Sequence, residues 1–251
     1  MTPSGAVPSG DLGGPIVRPW STPGRRAYAE VVRRLVAASV TTTADEVVLE
    51  RVARMLAGVA DELEAEGSGG AGGAGGSGGA ESGGTGPEPR FDAGATITDG
   101  EAMATAMPFD VVVGACNPLA PPLSLRFEPP FARASVTFGP AYEGAPGCVH
   151  GAMIASAFDV VLTAANVVAG AAGPTVELAI HYRRPTIVGV EAQFEARAVE
   201  VGERRVTSTG SLTQDGVVRV EATGTFAVFD RERVLTHHRS SSGSNPREIG
   251  R

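Results

Sequence analysis

The sequence contains no lysine, since all 21 of its basic residues are arginine. Without lysine the chain cannot form a Schiff base through that side chain, and it cannot build a phosphate-binding P-loop, which requires one. Cysteine is also scarce: Cys116 and Cys148 are the only two, too few for a disulfide scaffold in 251 residues. The composition therefore excludes lysine-based catalysis and P-loop nucleotide binding, and it indicates reduced thiols.

Positive charge and long apolar runs are lacking as well. The net charge is −7 and no basic run exceeds two residues, which disfavours binding to a nucleic-acid backbone. The first residues, MTPSGAVPSGDLGG, lack the basic and apolar regions of a signal peptide. The most apolar run, residues 160–172, is too short and too rich in small residues to span a bilayer. We expect no nucleic-acid partner, no membrane span and a cytoplasmic location.

Glycine, by contrast, is abundant and unevenly spread. Residues 67–86 are almost pure Gly, Ala and Ser, a composition that cannot bury a core and behaves as a flexible linker. This stretch divides the chain. We predict a disordered segment with a helical hairpin at 1–66, a flexible linker at 67–90, a folded domain at 91–233 and a disordered tail at 234–251.

Two helices are predicted before the linker. Thr22 followed by Pro23 is typical of a helix N-cap and first helical position. A second helix is predicted to open at Thr43, where Glu46 three residues later completes a capping box. Both helices carry a one-sided apolar stripe, so we interpret them as a hairpin that packs on the rest of the chain. A regulatory or partner-docking role is the alternative.

The pattern after the linker is that of strands around one helix. Residues 133–138 alternate as a strand, and residues 147–170 have the length and period of a helix that is apolar nearly all round, hence buried. The dipeptide Asp215-Gly216 predicts a tight hairpin. A long antiparallel sheet wrapped around a central helix, the α+β hotdog fold, satisfies both patterns. Four further strands are predicted at 175–182, 190–201, 204–212 and 217–229.

Asp159 is the only aspartate or glutamate, and the only residue of either charge apart from neutral histidine, between Gly147 and Gly173. Burial of an unpaired carboxylate is costly, so such a residue is either fully hydrogen-bonded for structure or retained for chemistry. Both interpretations remain open on the pattern alone. Three polar neighbours at helical spacing surround it: Ser156, Thr163 and Asn166.

His150-Gly151 opens the same helix. The first backbone N–H groups of a helix have no intrahelical partner and carry the positive end of its dipole, which suits an oxyanion site. Ordinary cap and turn residues are the alternative. Gly151 and Asp159 lie roughly 12 Å apart along one helix, too far to serve one carbonyl. A shared catalytic site therefore requires two chains, each supplying one of the two groups.

The segments GPAYEGAPGCVHGAMIASAFDVV and GPTVELAIHYRRP resemble hotdog acyl-CoA thioesterases of the phenylacetate-degradation and mammalian thioesterase-superfamily-member groups. That family has His-Gly-Gly, an Asp nine residues after the His and a Thr sixteen residues later; His150, Asp159 and Thr175 keep both intervals. The resemblance covers about residues 117–229. Ala152 departs from it, because it stands where the family has a second glycine.

The resemblance implies a role for each matching residue. Gly151 would donate its N–H to the thioester carbonyl, and Asp159 would attack that carbonyl or activate water. Thr175 would orient the water or the carboxylate, and His150 would position the thioester. Arg204 and Arg205 would meet the phosphates of coenzyme A, with a solvated hairpin as the alternative. Further candidates for substrate contact are Arg183, Arg184, Asn166 and Ser156.

The predicted function is hydrolysis of medium or long acyl-CoA thioesters by a homodimer or a dimer of dimers. No cofactor is expected, since coenzyme A is part of the substrate, and no metal, since the histidines lack zinc-binding spacing. The alternatives are an acyl-CoA-binding sensor without catalysis and a hotdog hydratase or dehydratase. A serine hydrolase is disfavoured because Ser156 lacks a Gly-x-Ser-x-Gly elbow.

Overall fold

A computed structural model describes residues 21–69 and 97–228. The predictions of a disordered N-terminal segment and of a disordered tail fall outside these residues. So does nearly all of the predicted linker. The predicted domain boundaries therefore remain predictions.

Both helices predicted before the linker are present. The first, α1 (Pro23–Thr41), is capped as expected, since the Thr22 hydroxyl accepts a hydrogen bond from the Arg25 N–H at 3.2 Å. The second, α2 (Glu46–Gly69), begins later than predicted and runs past the expected start of the linker. Thr43 is not its cap, because the Asp45 carboxylate directly precedes the first turn and accepts the Val48 N–H at 2.9 Å.

The two helices differ in how they relate to the rest of the chain. One side of α1 packs on the domain: Ala29 is fully buried, and the Arg33 guanidinium donates to the carbonyls of Ala120 and Asn117 at 3.0 and 3.3 Å. In α2, by contrast, no residue from Glu46 to Glu66 is buried. Helix α1 is thus part of the folded domain, whereas the described residues leave the apolar stripe of α2 exposed.

A short helix and a short strand were not predicted. Helix α3 (Gly100–Ala106) is capped by Asp99, whose carboxylate accepts the Ala102 N–H at 2.8 Å. It lies so close to strand β1 (Ser124–Glu128) that a Cβ on Gly100 would collide with the Leu125 backbone. Elements of seven and five residues are too short to show a clear period, which is why the sequence did not reveal them.

The strands that follow β1 are β2 (Phe131–Thr137), β3 (Thr175–Tyr182), β4 (Glu191–Val201), β5 (Arg205–Gln214) and β6 (Val217–Ala227). Together the six antiparallel strands form one sheet in the order β1-β2-β4-β5-β6-β3. The predicted strands are confirmed to within a few residues. The Asp215-Gly216 hairpin is also confirmed, since both residues have the positive φ that such a turn requires.

The concave side of the sheet wraps around α4 (Gly151–Val168), as the sequence predicted. Phe158 on this helix meets Phe194 on β4 edge to face, with ring centroids 5.0 Å apart. Burial of each such side chain contributes about 1.5–3 kcal/mol. Among the described helices, α4 is the one whose length and apolar character would suffice to cross a membrane, and half of it is buried inside this domain.

Candidate active site

The N-terminus of α4 contains one backbone N–H group without a hydrogen-bond partner among the described residues. The His150 imidazole caps the helix, because its Nδ1 accepts the Ala152 N–H at 3.1 Å. The N–H groups of Met153 and Ile154 both point to the His150 carbonyl, at 3.0 and 3.3 Å. Within the described part of the chain, the Gly151 N–H has no such partner. It is therefore free to donate to a ligand oxygen at the positive end of the helix dipole.

The loop before α4 fixes His150. The His150 N–H donates to the Tyr142 carbonyl at 2.8 Å, and the Val149 N–H donates to the Thr186 carbonyl at 2.8 Å. Gly144 packs against the histidine so closely that a Cβ there would lie 2.9 Å from its Cα and 3.0 Å from its Cδ2. Glycine at this position thus allows the imidazole to sit in its capping orientation.

Tyr182, at the end of β3, contacts the N-terminus of α4. Its hydroxyl donates to the Gly151 carbonyl at 2.8 Å, and burial raises the pKa of that hydroxyl, which keeps it a neutral donor. Arg183 beside it is ion-paired with Glu221 at 2.7 Å. Together they border a pocket of about 340 Å³ lined by Cys148, Val149, Gly151, Ile154, Tyr182, Arg183, Arg184, Pro185 and Thr186.

Asp159 lies at the opposite end of β3 and is half-buried. The Thr175 hydroxyl donates to its Oδ1 at 2.6 Å, so the spacing of the two residues in sequence corresponds to a direct contact. Partial exposure arises because this side of α4 faces an edge strand of the sheet rather than its centre. In the single chain the carboxylate is therefore accessible.

A β-bulge in β3 directs the side chain of Thr175 toward Asp159. Thr175 pairs with Phe226 and Glu177 with Thr225, so Val176 is an extra residue without a partner on β6. Phe226 belongs to the core, and the bulge brings Thr175 onto the same inner face. In a regular strand, the alternation of side chains from Glu177 would point Val176 inward and Thr175 outward.

The two groups proposed for catalysis thus occupy the two ends of one strand. Tyr182 contacts Gly151 at one end of β3, and Thr175 contacts Asp159 at the other. Among the described strands β3 pairs only with β6, so its other edge has no strand partner there. Each chain therefore holds two separated candidate half-sites along a strand with one open edge.

The remaining predicted residues fall into different surroundings. Arg204 and Arg205 are exposed at the β4–β5 hairpin, and they lie at the same end of the sheet as Thr175 because Val206, Phe226 and Thr175 are side by side on neighbouring strands. Arg183 and Arg184 lie at the Gly151 end. This separation matches that of the two half-sites.

Two predicted contact residues do not line the pocket and make other hydrogen bonds. Asn166 is fully buried, and its side-chain oxygen accepts a hydrogen bond from Ser208, which joins α4 to β5. Ser156 donates back to the Ala152 carbonyl of its own helix at 2.8 Å. Tyr182 and Gly144, by contrast, were not expected to serve the site. The signal for Tyr182 was the Tyr-Arg-Arg-Pro sequence at residues 182–185, which lies in the segment that resembles the thioesterases and is similar to that family's Tyr-basic-Arg-Pro. Gly144 gave no such signal.

Comparison with known proteins assigns this architecture. Residues 146–221 match the family model of the thioesterase superfamily. A crystal structure described as a thioesterase superfamily protein is 29% identical, with a TM-score of 0.64, over 83% of this chain and 91% of the other. Because residues 97–228 make up little more than half of this chain, that similarity extends into the N-terminal helices. A comparison with curated proteins gave no match.

Other structures match a smaller share of the chain. A phenylacetic acid degradation-related protein from Ralstonia eutropha is 24% identical over 42% of this chain and 84% of the other, with a TM-score of 0.40. Zebra fish thioesterase superfamily member 2 is 21% identical over 52% of this chain and 93% of the other, with a TM-score of 0.45. The resemblance predicted from the sequence is confirmed as a similarity: this chain has the hotdog fold, and its residues 146–221 match the thioesterase superfamily.

Proposed function

We propose that this protein hydrolyses acyl-CoA thioesters as a homodimer, with Asp159 of one protomer and the partner's Gly151 acting on the same carbonyl. Superfamily membership supports the reaction class. The observation that carries the proposal is the pair of half-sites at the two ends of β3. One end presents a carboxylate held by Thr175, and the other presents a free backbone N–H.

The proposed dimer joins the two β3 edges. An open strand edge is a template for a second strand, and a two-fold axis makes the pair antiparallel. With the axis between Leu178 and Ala179, Thr175 of one chain lies opposite the partner's Tyr182. Asp159 then comes next to the partner's Gly151, and the approximately 12 Å along one helix no longer separates the two groups.

The chemistry follows from these two groups. In the route through water, Asp159 takes a proton from a water molecule whose oxygen adds to the thioester carbonyl carbon. The resulting oxyanion accepts a hydrogen bond from the partner's Gly151. When the carbon–sulfur bond breaks, the thiolate leaves as coenzyme A and takes up a proton. In the alternative route Asp159 itself attacks the carbonyl, which requires the same arrangement.

Arginines from both chains would hold the coenzyme A phosphates. In the proposed dimer, Arg204 and Arg205 approach the site from one protomer and the partner's Arg184 from the other. The planar guanidinium group suits phosphate oxygens. A local concentration of positive charge would attract the substrate although the chain as a whole carries −7.

Release of coenzyme A from a panel of acyl-CoAs tests the proposal. The substitution Asp159→Asn keeps the side-chain shape and removes the proton acceptor, so turnover should fall by about 10²–10⁴-fold. Glu191→Gln, an exposed carboxamide substitution on β4, is the matched control and should retain turnover. Undiminished turnover in Asp159→Asn would refute the assignment. Tight acyl-CoA binding without turnover in the wild type would favour the sensor instead.

A further inference from the structure

Helix α2 carries an apolar stripe that no described residue of its own chain buries. The five residues of this stripe recur at alternating intervals of three and four, which places them on one side of the helix. From Glu46 to Glu66 no residue of α2 is buried, and four of the five stripe residues are 40–48% exposed. The stripe consists of Leu49, Val52, Leu56, Val59 and Leu63.

Helix α1 exposes a second apolar stripe. Tyr28, Val31 and Leu35 share one side of this helix and are 47%, 52% and 39% exposed. Its other side is anchored to the domain through the buried Ala29 and the Arg33 hydrogen bonds. The exposed stripe is therefore held in a fixed position on the domain surface.

The two helices have opposite charge. Helix α1 contains four arginines and one glutamate, whereas α2 contains six acidic residues and two arginines. Pairing of α2 with another α2 would bring the acidic residues of both together. The acidic character of α2 also makes an anionic membrane surface a poor partner. A basic helix with its own apolar stripe is the complementary surface. Helix α1 is such a helix: Arg34 is exposed on the side of the stripe, while Arg26 and Arg33 face the domain.

We infer that α2 of one copy of this chain packs across α1 of a second copy. Two-fold symmetry makes the contact reciprocal, so one arrangement covers all four stripes, which an α2–α2 contact cannot do. The surface is separate from the β3 edge and from the proposed reaction. The similarity of a thioesterase superfamily protein extends into these helices, which is consistent with their belonging to the assembled molecule.

Cysteine cross-linking between two distinguishable chains tests this contact. A tagged chain with Val31→Cys is co-expressed with an untagged chain carrying Leu56→Cys, and the purified full-length protein is mildly oxidised. A disulfide-linked tagged–untagged pair is expected, well above the background that Cys116 and Cys148 give in a wild-type mixture. Leu56 and Val31 lie at the centres of their stripes, so the result does not depend on helix orientation.

Two further variants make the result decisive. Asp61→Cys lies on the opposite side of α2 and, combined with Val31→Cys, should give only background cross-linking. A single chain with both Val31→Cys and Leu56→Cys should link between chains rather than within one. Exclusively intramolecular linkage, or linkage no stronger than with Asp61→Cys, would overturn the inference. The double substitution Leu56→Gln with Val59→Gln should abolish the contact while acyl-CoA turnover persists. In this variant the cross-link to Val31→Cys is measured from Leu49→Cys, because position 56 is no longer cysteine.

Discussion

Thr175 holds the Asp159 carboxylate through a hydrogen bond of 2.6 Å. The bond leaves the second carboxylate oxygen available and fixes the direction in which it points. A hydrogen bond to a charged group contributes about 1.5–3 kcal/mol, which corresponds to one or two orders of magnitude in rate if it acts in the transition state. Thr175 is therefore a positioning residue whose hydroxyl, rather than its methyl group, should matter.

The substitution Thr175→Val tests this role, because it removes the hydroxyl and keeps the side-chain shape. We expect kcat for acyl-CoA hydrolysis to fall by roughly 10–100-fold with little change in KM. Thr175→Ser should restore most of the loss, since it returns the donor. Thr223→Val, which removes an exposed hydroxyl on the outer face of β6, is the control. Equal kcat values for Thr175→Val and wild type would show that the contact is only structural.

Two tyrosines make the free energy of unfolding depend on pH in the alkaline range. Burial raises the pKa of both Tyr142 and Tyr182 above the usual value of 10.0, and Arg33 partly offsets the effect at Tyr142. The unfolded chain therefore loses these protons first as the pH rises. Their stabilising contribution is complete below about pH 10 and is lost as the pH rises through the folded-state values.

Chemical denaturation between pH 8 and 11 measures this effect. The free energy of unfolding should be insensitive to these groups up to about pH 10 and should fall above it. The decline should be shallower in Tyr142→Phe and in Tyr182→Phe, because phenylalanine cannot ionise. A slope unchanged in both variants would mean that other groups govern alkaline unfolding.

At the scale of elements, the pairing of Thr175 with Phe226 decides which way Thr175 points, and the bulge at Val176 permits that pairing. Removal of Val176 would place Thr175 directly before Glu177, and regular alternation would then keep the Thr175 side chain on the inner face opposite Phe226. Deletion of Val176 should therefore retain most of the kcat for acyl-CoA hydrolysis, in contrast to Thr175→Val. Val176→Ala keeps the extra residue and should also retain activity. A fall in kcat of the deletion variant as large as that of Thr175→Val would show that the extra residue itself is needed to position Thr175.

The sequence predicted the elements that local interactions form and missed those that depend on contacts between distant segments. The apolar period of α4 and the Asp215-Gly216 turn are local features, and both were predicted correctly. The predicted start of α2 was wrong because Thr43 and Asp45 are both suitable N-caps, and Asp45 takes that position. The bulge at Val176 could not be predicted, since it exists only in the register between β3 and β6.

The candidate site shows the same limit. The interval between Asp159 and Thr175 matched that of the family that the sequence resembles, and the hydrogen bond between the two side chains agrees with the roles that the resemblance implied. The hydrogen bond between Tyr182 and Gly151 joins residues 31 positions apart and has no local pattern. Asn166 looked equivalent to Ser156 on the helix surface, but the curvature of the sheet buries it against Ser208.

At the scale of the whole molecule, the proposed site exists only between two chains, and complementation tests this directly. Asp159→Asn removes the carboxylate half of the site. Gly151→Pro removes the N–H half, at a first helical position where proline is tolerated and after a residue, His150, whose extended backbone accepts a following proline. We expect homodimers of either variant to have little activity.

Co-expression of the two variants should restore activity. In the mixed dimer one site combines both substitutions, while the other combines an intact Asp159 with an intact Gly151 from the other chain. Random pairing would yield about half mixed dimers, each with one working site, and so about a quarter of wild-type turnover. Thermal melting of each variant confirms folding. If both groups acted within one chain, the mixture would be no more active than its components, and the proposed dimer site would be refuted.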